Sequence, residues 1–236
     1  MAVLGVDGWK GSWVGAYVQD GAVTWRHGRF AELLTAGPAD LADPDKPADL
    51  TDSTVIGVDI PIGLAERGSR GCDLAARVAL GRAASRVFLM PPRFALEAPS
   101  LAEANRLLRA AGEPGCSAQT WGLRSAVLEV AASVGTGTPG RVVEVHPELA
   151  FLHLAGSVLP PKKTASGVAA RIAALSGWVD VLAALRRAPD RVPVADALDA
   201  LAAAWSAQRV ATGTATAYPE RGARTDRDGR PMVIHA

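Results

Sequence analysis

The chain has 236 residues, 49% of them hydrophobic and 21% charged, with a net charge of +1. That length buries a sizeable core within about one domain, and the composition excludes a disordered chain. Near-neutral charge excludes a strong overall basic field and leaves open only a local basic groove. The two cysteines, Cys72 and Cys116, form no Cys-x-x-Cys pair, so neither a disulfide framework nor a zinc site is read from them, and a reducing cytosol is expected. The opening "MAVLGVDG" lacks a basic leader region and meets an acid at its seventh residue, so it does not read as a signal peptide. No uncharged apolar run approaches the roughly 18 residues of a membrane span. A cytoplasmic protein that avoids the membrane is expected.

In chain order, residues 3–6 (VLGV) read as a strand buried on both faces and closed by the turn "DGWKGS". Residues 13–18 and 22–25 follow as strands joined by a "QDG" hairpin turn, with a short helix at 30–34. Residues 37–52 read as a loop that includes a turn of helix at 39–42. The run "VIGVD" at 55–59 is a strand stopped by Pro61. Residues 66–135 read as a mostly helical insert, with segments near 72–81, 100–111 and 117–134. Such an insert would serve as a lid or as a homodimer surface. "GTGTPG" at 135–140 reads as a linker, 142–145 (VVEV) as a strand, 148–155 and 166–187 as helices, and 194–209 as the last long helix. Residues 232–234 read as a short edge strand. The order predicts an α/β fold with a mixed sheet, antiparallel at first and parallel afterwards, flanked by helices.

Two aspartates end near-identical strands, Asp7 in "VLGVDG" and Asp59 in "VIGVDI". Side chains alternate along a strand, so parallel pairing with "GVD" in register sets both carboxylates at one edge of one face. Two buried like charges there are unfavourable unless something pairs with them, and Mg²⁺ or Mn²⁺ removes the difficulty. Glu144 lies inside a third strand, with His146 and Glu148 just beyond it. Asp196 and Asp199 share one face of the last helix, whose alanines allow close approach to a sheet. Singly, each aspartate is a common turn former or helix cap, and His146 reads best as a turn residue. Four acids on three buried strands and one helix are harder to explain that way.

An acid on the first and fourth strands and another on a late helix resembles the ribonuclease H-like superfamily. "DALDALA" at 196–202 is similar to the last-helix motif of Holliday-junction resolvases. The chain as a whole resembles an uncharacterised bacterial family of predicted RNase H-like nucleases. The matching pieces are "GVDGWKGSWVGA", "GVDIPIGL", "CDLAARVALG", "VFLMPPR", "EVHPE", "KKT" and "DALDALAAAW". The resemblance implies a single ribonuclease H-like domain over 1–236 and metal ligands at Asp7, Asp59 and Asp199, with Glu144 and Asp196 as further site acids. It departs at 126–131, where "AVLEVA" lacks an expected lysine and an expected final acid.

The leading expectation is thus a Mg²⁺- or Mn²⁺-dependent nuclease acting on DNA or RNA. Lys10, Arg93, Lys162 and Lys163 are candidate phosphate contacts, as are Arg67 and Arg70. One alternative is an ATP phosphotransferase of the actin and sugar-kinase type, against which stands Ile60-Pro61 after the second aspartate, since proline offers a phosphate no N–H. The other is a non-catalytic binding protein on the same fold.

Overall fold

The computed structural model describes residues 1–35, 50, 54–134 and 141–236. The loop expected over 37–52, apart from residue 50, and the linker expected over 135–140 lie outside them. The chain divides into two units: Met1–Ile60, Ser133–Thr216 and His235–Ala236 form the first, and Pro61–Ala132 with Ala217–Ile234 the second.

The first unit is built on β1 (Ala2–Trp9), β2 (Ser12–Gln19), β3 (Ala22–Gly28), β4 (Val55–Val58) and β5 (Arg141–Val145), in the order β3-β2-β1-β4-β5. The first three strands are antiparallel neighbours, and β4 and β5 add in parallel. This is the mixed sheet the strand order predicts. β1 runs further than expected. Trp9 still pairs with Ser12, and the turn is Lys10–Gly11, with φ of 47° and 74°. Positive φ at both central residues matches the twist of a two-residue hairpin, and Asp20–Gly21 repeats it between β2 and β3. Asp7 therefore sits inside a paired strand, opposite Val14, rather than in a turn.

One face of the sheet carries Val3, Val14, Ala16, Val18, Val55, Val143 and Val145 and is covered by α10 (Val194–Ala211), with α7 (Pro147–Ala155), α8 (Ala165–Leu175) and α9 (Val181–Arg186) completing that layer. The expected single helix over 166–187 breaks into α8 and α9, where Asp180 accepts the Ala183 amide as a new N-cap. On the other face α1 (Phe30–Thr35) buries Phe30 against Trp13, with ring centroids 5.3 Å apart.

The glycines of the two "GVD" runs decide how closely α10 can lie. A side chain on Gly5 would overlap the Ala200 carbonyl oxygen and the Ala204 amide, and one on Gly57 would lie 2.5 Å from the Ala203 carbonyl oxygen. These are backbone contacts, so only glycine fits. The alanines of α10 make the same allowance from the other side.

The second unit holds α2 (Gly71–Leu80), α3 (Arg93–Leu96), α4 (Leu101–Ala110), α5 (Ala118–Gly122) and most of α6 (Arg124–Ser133). It contains the helical insert expected over 66–135, whose last helix is divided at Leu123. The chain's last segment adds two-residue strands β6 (Ala217–Tyr218) and β7 (Ile234–His235). Among the described residues, no helix is long and apolar enough to cross a membrane.

Candidate functional site

Strand alternation sets Gly5 and Asp7 on one face of β1, and Gly57 and Asp59 on the same face beyond β4. The Asp59 amide still donates to the Val6 carbonyl at 2.9 Å, so the parallel ladder carries both aspartates at one level. That face receives α10. Two residues of strand span about 6.6 Å and one helical turn about 5.4 Å. From the contacts at Gly5 and Gly57, a step of two residues along either strand reaches an aspartate. A step of one turn back from Ala203 along α10 reaches Asp199. Sheet and helix thus deliver three carboxylates to one place.

Asp199 is buried, and its two oxygens are treated differently. Oδ2 accepts a hydrogen bond from Lys162 Nζ at 2.5 Å, whereas Oδ1 is buried with no hydrogen-bond partner among the described residues. Asp7 is also buried, and its Oδ1 accepts the Gly8 amide at 2.8 Å. Asp59 is partly buried, and Asp196 lies in the first turn of α10, where the helix dipole favours an acid. Among the described residues, Asp7, Asp59 and Asp199 do not bring one oxygen each to within 4.8 Å of the others. The cation within electrostatic reach of all three is the Lys162 ammonium.

Burial is the chief cause of the titration behaviour of these acids. It pushes the Asp7 carboxyl well up, with the charges of Asp59 and Asp199 adding to the effect and Lys162 opposing it. Burial likewise raises Asp59 to about 7, against the pull of Lys162 and with the help of Glu148. Asp199 rises to about 6, again through burial, held back by Lys162 and raised further by Asp59. Burial raises Asp196 too, while Lys162 and Lys163 pull it down. For Lys162, burial disfavours the charged form, but Asp199, Asp7 and Asp59 outweigh it and hold the ammonium protonated. Burial and mutual repulsion thus disfavour full ionisation of the cluster, and Lys162 opposes both.

Glu148 joins this cluster, and Glu144 does not. Glu144 pairs in register with Val58, so its side chain leaves the sheet on the face opposite Asp7 and Asp59. Glu148 follows Pro147 in the first turn of α7, where His146 Nδ1 caps the helix by accepting the Glu148 amide at 3.3 Å. Its Oε1 accepts from Arg171 Nη2 at 2.5 Å. Arg171 is fully buried, stacks 5.0 Å over the Phe151 ring and donates through Nη1 to Pro160 O at 2.8 Å and Gly167 O at 3.0 Å. It therefore ties α7, α8 and the "PPKK" loop together. The sequence signals for this pair are slight: an acid next to a helix-starting proline, and a lone arginine in the apolar run "VAARIAAL".

The other candidate cations are dispersed. Lys10 is exposed on the β1–β2 turn, and Lys163 is exposed beside Lys162. Arg93, expected as a phosphate contact, belongs to the second unit and is buried. Its Nη2 lies 2.7 Å from Asp226 Oδ2 and 3.0 Å from Asp228 Oδ2, so it is engaged in a structural ion cluster. Arg70, also in that unit, is buried with its Nη2 2.8 Å from Cys72 Sγ. Arg67 is exposed and forms no ion pair among the described residues.

A family described as protein of unknown function (DUF429) matches residues 5–224. No curated protein and no solved structure matches the chain.

Proposed function

We propose that this chain, which belongs to the DUF429 family, is a divalent-metal-dependent phosphodiesterase that hydrolyses nucleic acid on a ribonuclease H-like sheet. The observation that carries the reading is the convergence of Asp7, Asp59 and Asp199 from two parallel strands and one helix, with Asp199 Oδ1 buried and unpartnered. Three antiparallel strands followed by two parallel ones, with acids on the first and fourth strands and the last long helix, support the fold-level part.

The donor set fits Mg²⁺ or Mn²⁺, which take carboxylate oxygens and keep open positions for water and phosphate. Asp7, Asp59 and Asp199 would hold the metal. Bound there, it would polarise a phosphoryl oxygen and lower the pKa of a coordinated water. The chain's own groups do the rest. Arg171 pairs with Glu148, whose charge acts on Asp59 and Asp199, and fixes the loop carrying Lys162. Lys162 and Lys163 offer adjacent positive charges to a phosphate, and both act on Asp196, whose own charge acts on Asp7.

Isothermal calorimetry with Mn²⁺ on the wild type, Asp7→Asn and Asp59→Asn tests the metal, and Mn²⁺-dependent cleavage of labelled single-stranded, duplex and branched DNA and RNA tests the reaction. The reading expects binding by the wild type, its loss in both variants, and cleavage that chelation abolishes. Unchanged metal affinity in the variants overturns it.

A further inference from the structure

Lys162 stands out because it is the only described cation acting on Asp7, Asp59, Asp196 and Asp199 together; Lys163 reaches only Asp196. Its ammonium is hydrogen-bonded to one oxygen of Asp199, and the other has no partner among the described residues. One ammonium is set among four carboxyl groups, whose oxygens are the ligands a divalent ion of this kind takes. The two cations compete, because an ion held by Asp199 Oδ1 lies on the same carboxylate as the ammonium on Oδ2 and repels it.

The surroundings allow the side chain to leave while the backbone stays. The Lys162 side chain is 39% exposed, whereas that of Asp199 is 3% exposed. The loop itself is pinned. Arg171 donates to Pro160 O, Thr164 Oγ1 donates to Pro161 O at 2.8 Å, and a side chain at Gly167 would overlap the Pro161 carbonyl. Thr164 also caps α8 by accepting the Gly167 amide at 3.0 Å. Motion is thus confined to the flexible lysine stem, which has four rotatable carbons and a compact charge at its end.

We propose that Lys162 is the resident counter-ion of the carboxylate cluster: its ammonium holds the place of a divalent cation, and binding of that cation turns it outward to meet a phosphate group of the substrate. This rests on the metal reading above and assigns Lys162 a positioning role coupled to metal occupancy. In the metal-free protein the lysine keeps the acids from repelling one another. In the metal-bound protein the same charge is on the solvent side, where an anionic substrate arrives.

The test is Mn²⁺ binding by calorimetry to the wild type, Lys162→Met and Lys162→Arg. Lys162→Met is expected to bind Mn²⁺ more tightly by roughly two- to fivefold, the scale of one partly exposed ion pair, while Lys162→Arg stays near the wild type. Equal or weaker binding by Lys162→Met overturns the inference and leaves the metal reading standing. No binding by any of the three proteins overturns both. A second measurement uses the wild type alone, so it does not depend on the variants folding. Acetylation of Lys162 by an amine-reactive ester, read by peptide mass spectrometry, is expected to rise several-fold at saturating Mn²⁺, with Lys10 unchanged as the internal control. Lower or unchanged labelling of Lys162 overturns the inference.

Discussion

A side chain on Gly5 would have to occupy the space taken by the amide nitrogen of Ala204. The contact is with helix backbone, so nothing can rotate aside. Gly5→Ala is therefore expected to lift α10 from β1 and destabilise the protein by about 3 kcal/mol or more, towards the upper end of overpacking effects. Thermal unfolding measures the loss. Whatever fraction folds is also expected to have a weaker Mn²⁺ response, because the same helix carries Asp199. An unchanged melting temperature would show that the close approach is not a constraint.

The cluster predicts an inverted pH dependence for the metal-free protein. Folding raises Asp59 to about 7 and Asp199 to about 6, from an ordinary value of 3.8. Raised values mean that the folded state holds these protons more tightly than the unfolded chain does. Their contribution is fully present below about pH 4 and is lost as pH rises through 6 and 7. With a chelator present, the melting temperature is expected to fall between about pH 4 and 7, and Asp59→Asn to reduce that slope and stabilise the protein by about 1–2 kcal/mol at pH 8. Mn²⁺ binds the deprotonated carboxylates, so saturating metal is expected to flatten or reverse the slope. Differential scanning calorimetry across pH, with and without Mn²⁺, reads both effects.

Glu144 and Glu148 separate the two faces of the sheet. Glu144→Gln is expected to leave Mn²⁺ affinity within about twofold of wild type, since its side chain leaves β5 away from Asp59. Glu148→Gln removes a negative charge that acts on Asp59 and Asp199 and is expected to weaken Mn²⁺ binding measurably. The reverse ranking in calorimetry would place the metal on the other face.

Arg171 and Glu148 form a buried pair whose separate loss is severe. Arg171→Leu removes the guanidinium that pairs with Glu148 and donates to Pro160 O, and is expected to destabilise by ~3–5 kcal/mol. Adding Glu148→Gln removes the acid of the broken pair and is expected to recover part of that loss. A double-mutant cycle in urea measures the coupling; simple additivity would deny it.

The doubled "GVD" made the parallel register legible in the sequence, because identical spacing on two strands sets Gly level with Gly and Asp level with Asp. The alanine-rich last helix made its close approach legible as well. The position of Asp7 within its strand was not legible. Lysine is an unusual residue for the left-handed half of a hairpin turn, so Lys10–Gly11 gave no turn signal, whereas "DG" at 7–8 gave a false one. The sequence also showed that Glu144 alternates with Val143 and Val145, but only the pairing with β4 shows which of those faces meets α10. Arg93 read as a free cation because Asp226, its partner, lies 133 residues further on.

The acids are far apart in the chain, two before Pro61–Ala132, the first segment of the second unit, and one after it. During synthesis, the trough formed by Gly5 and Gly57 waits for some 140 further residues before α10 exists to fill it. At usual translation rates that interval is on the order of ten seconds. For that time the central strands have a narrow, side-chain-free groove that any passing helix with small residues would fit, so the nascent chain has its greatest exposure to wrong partners at the spot where the finished protein is most exclusive.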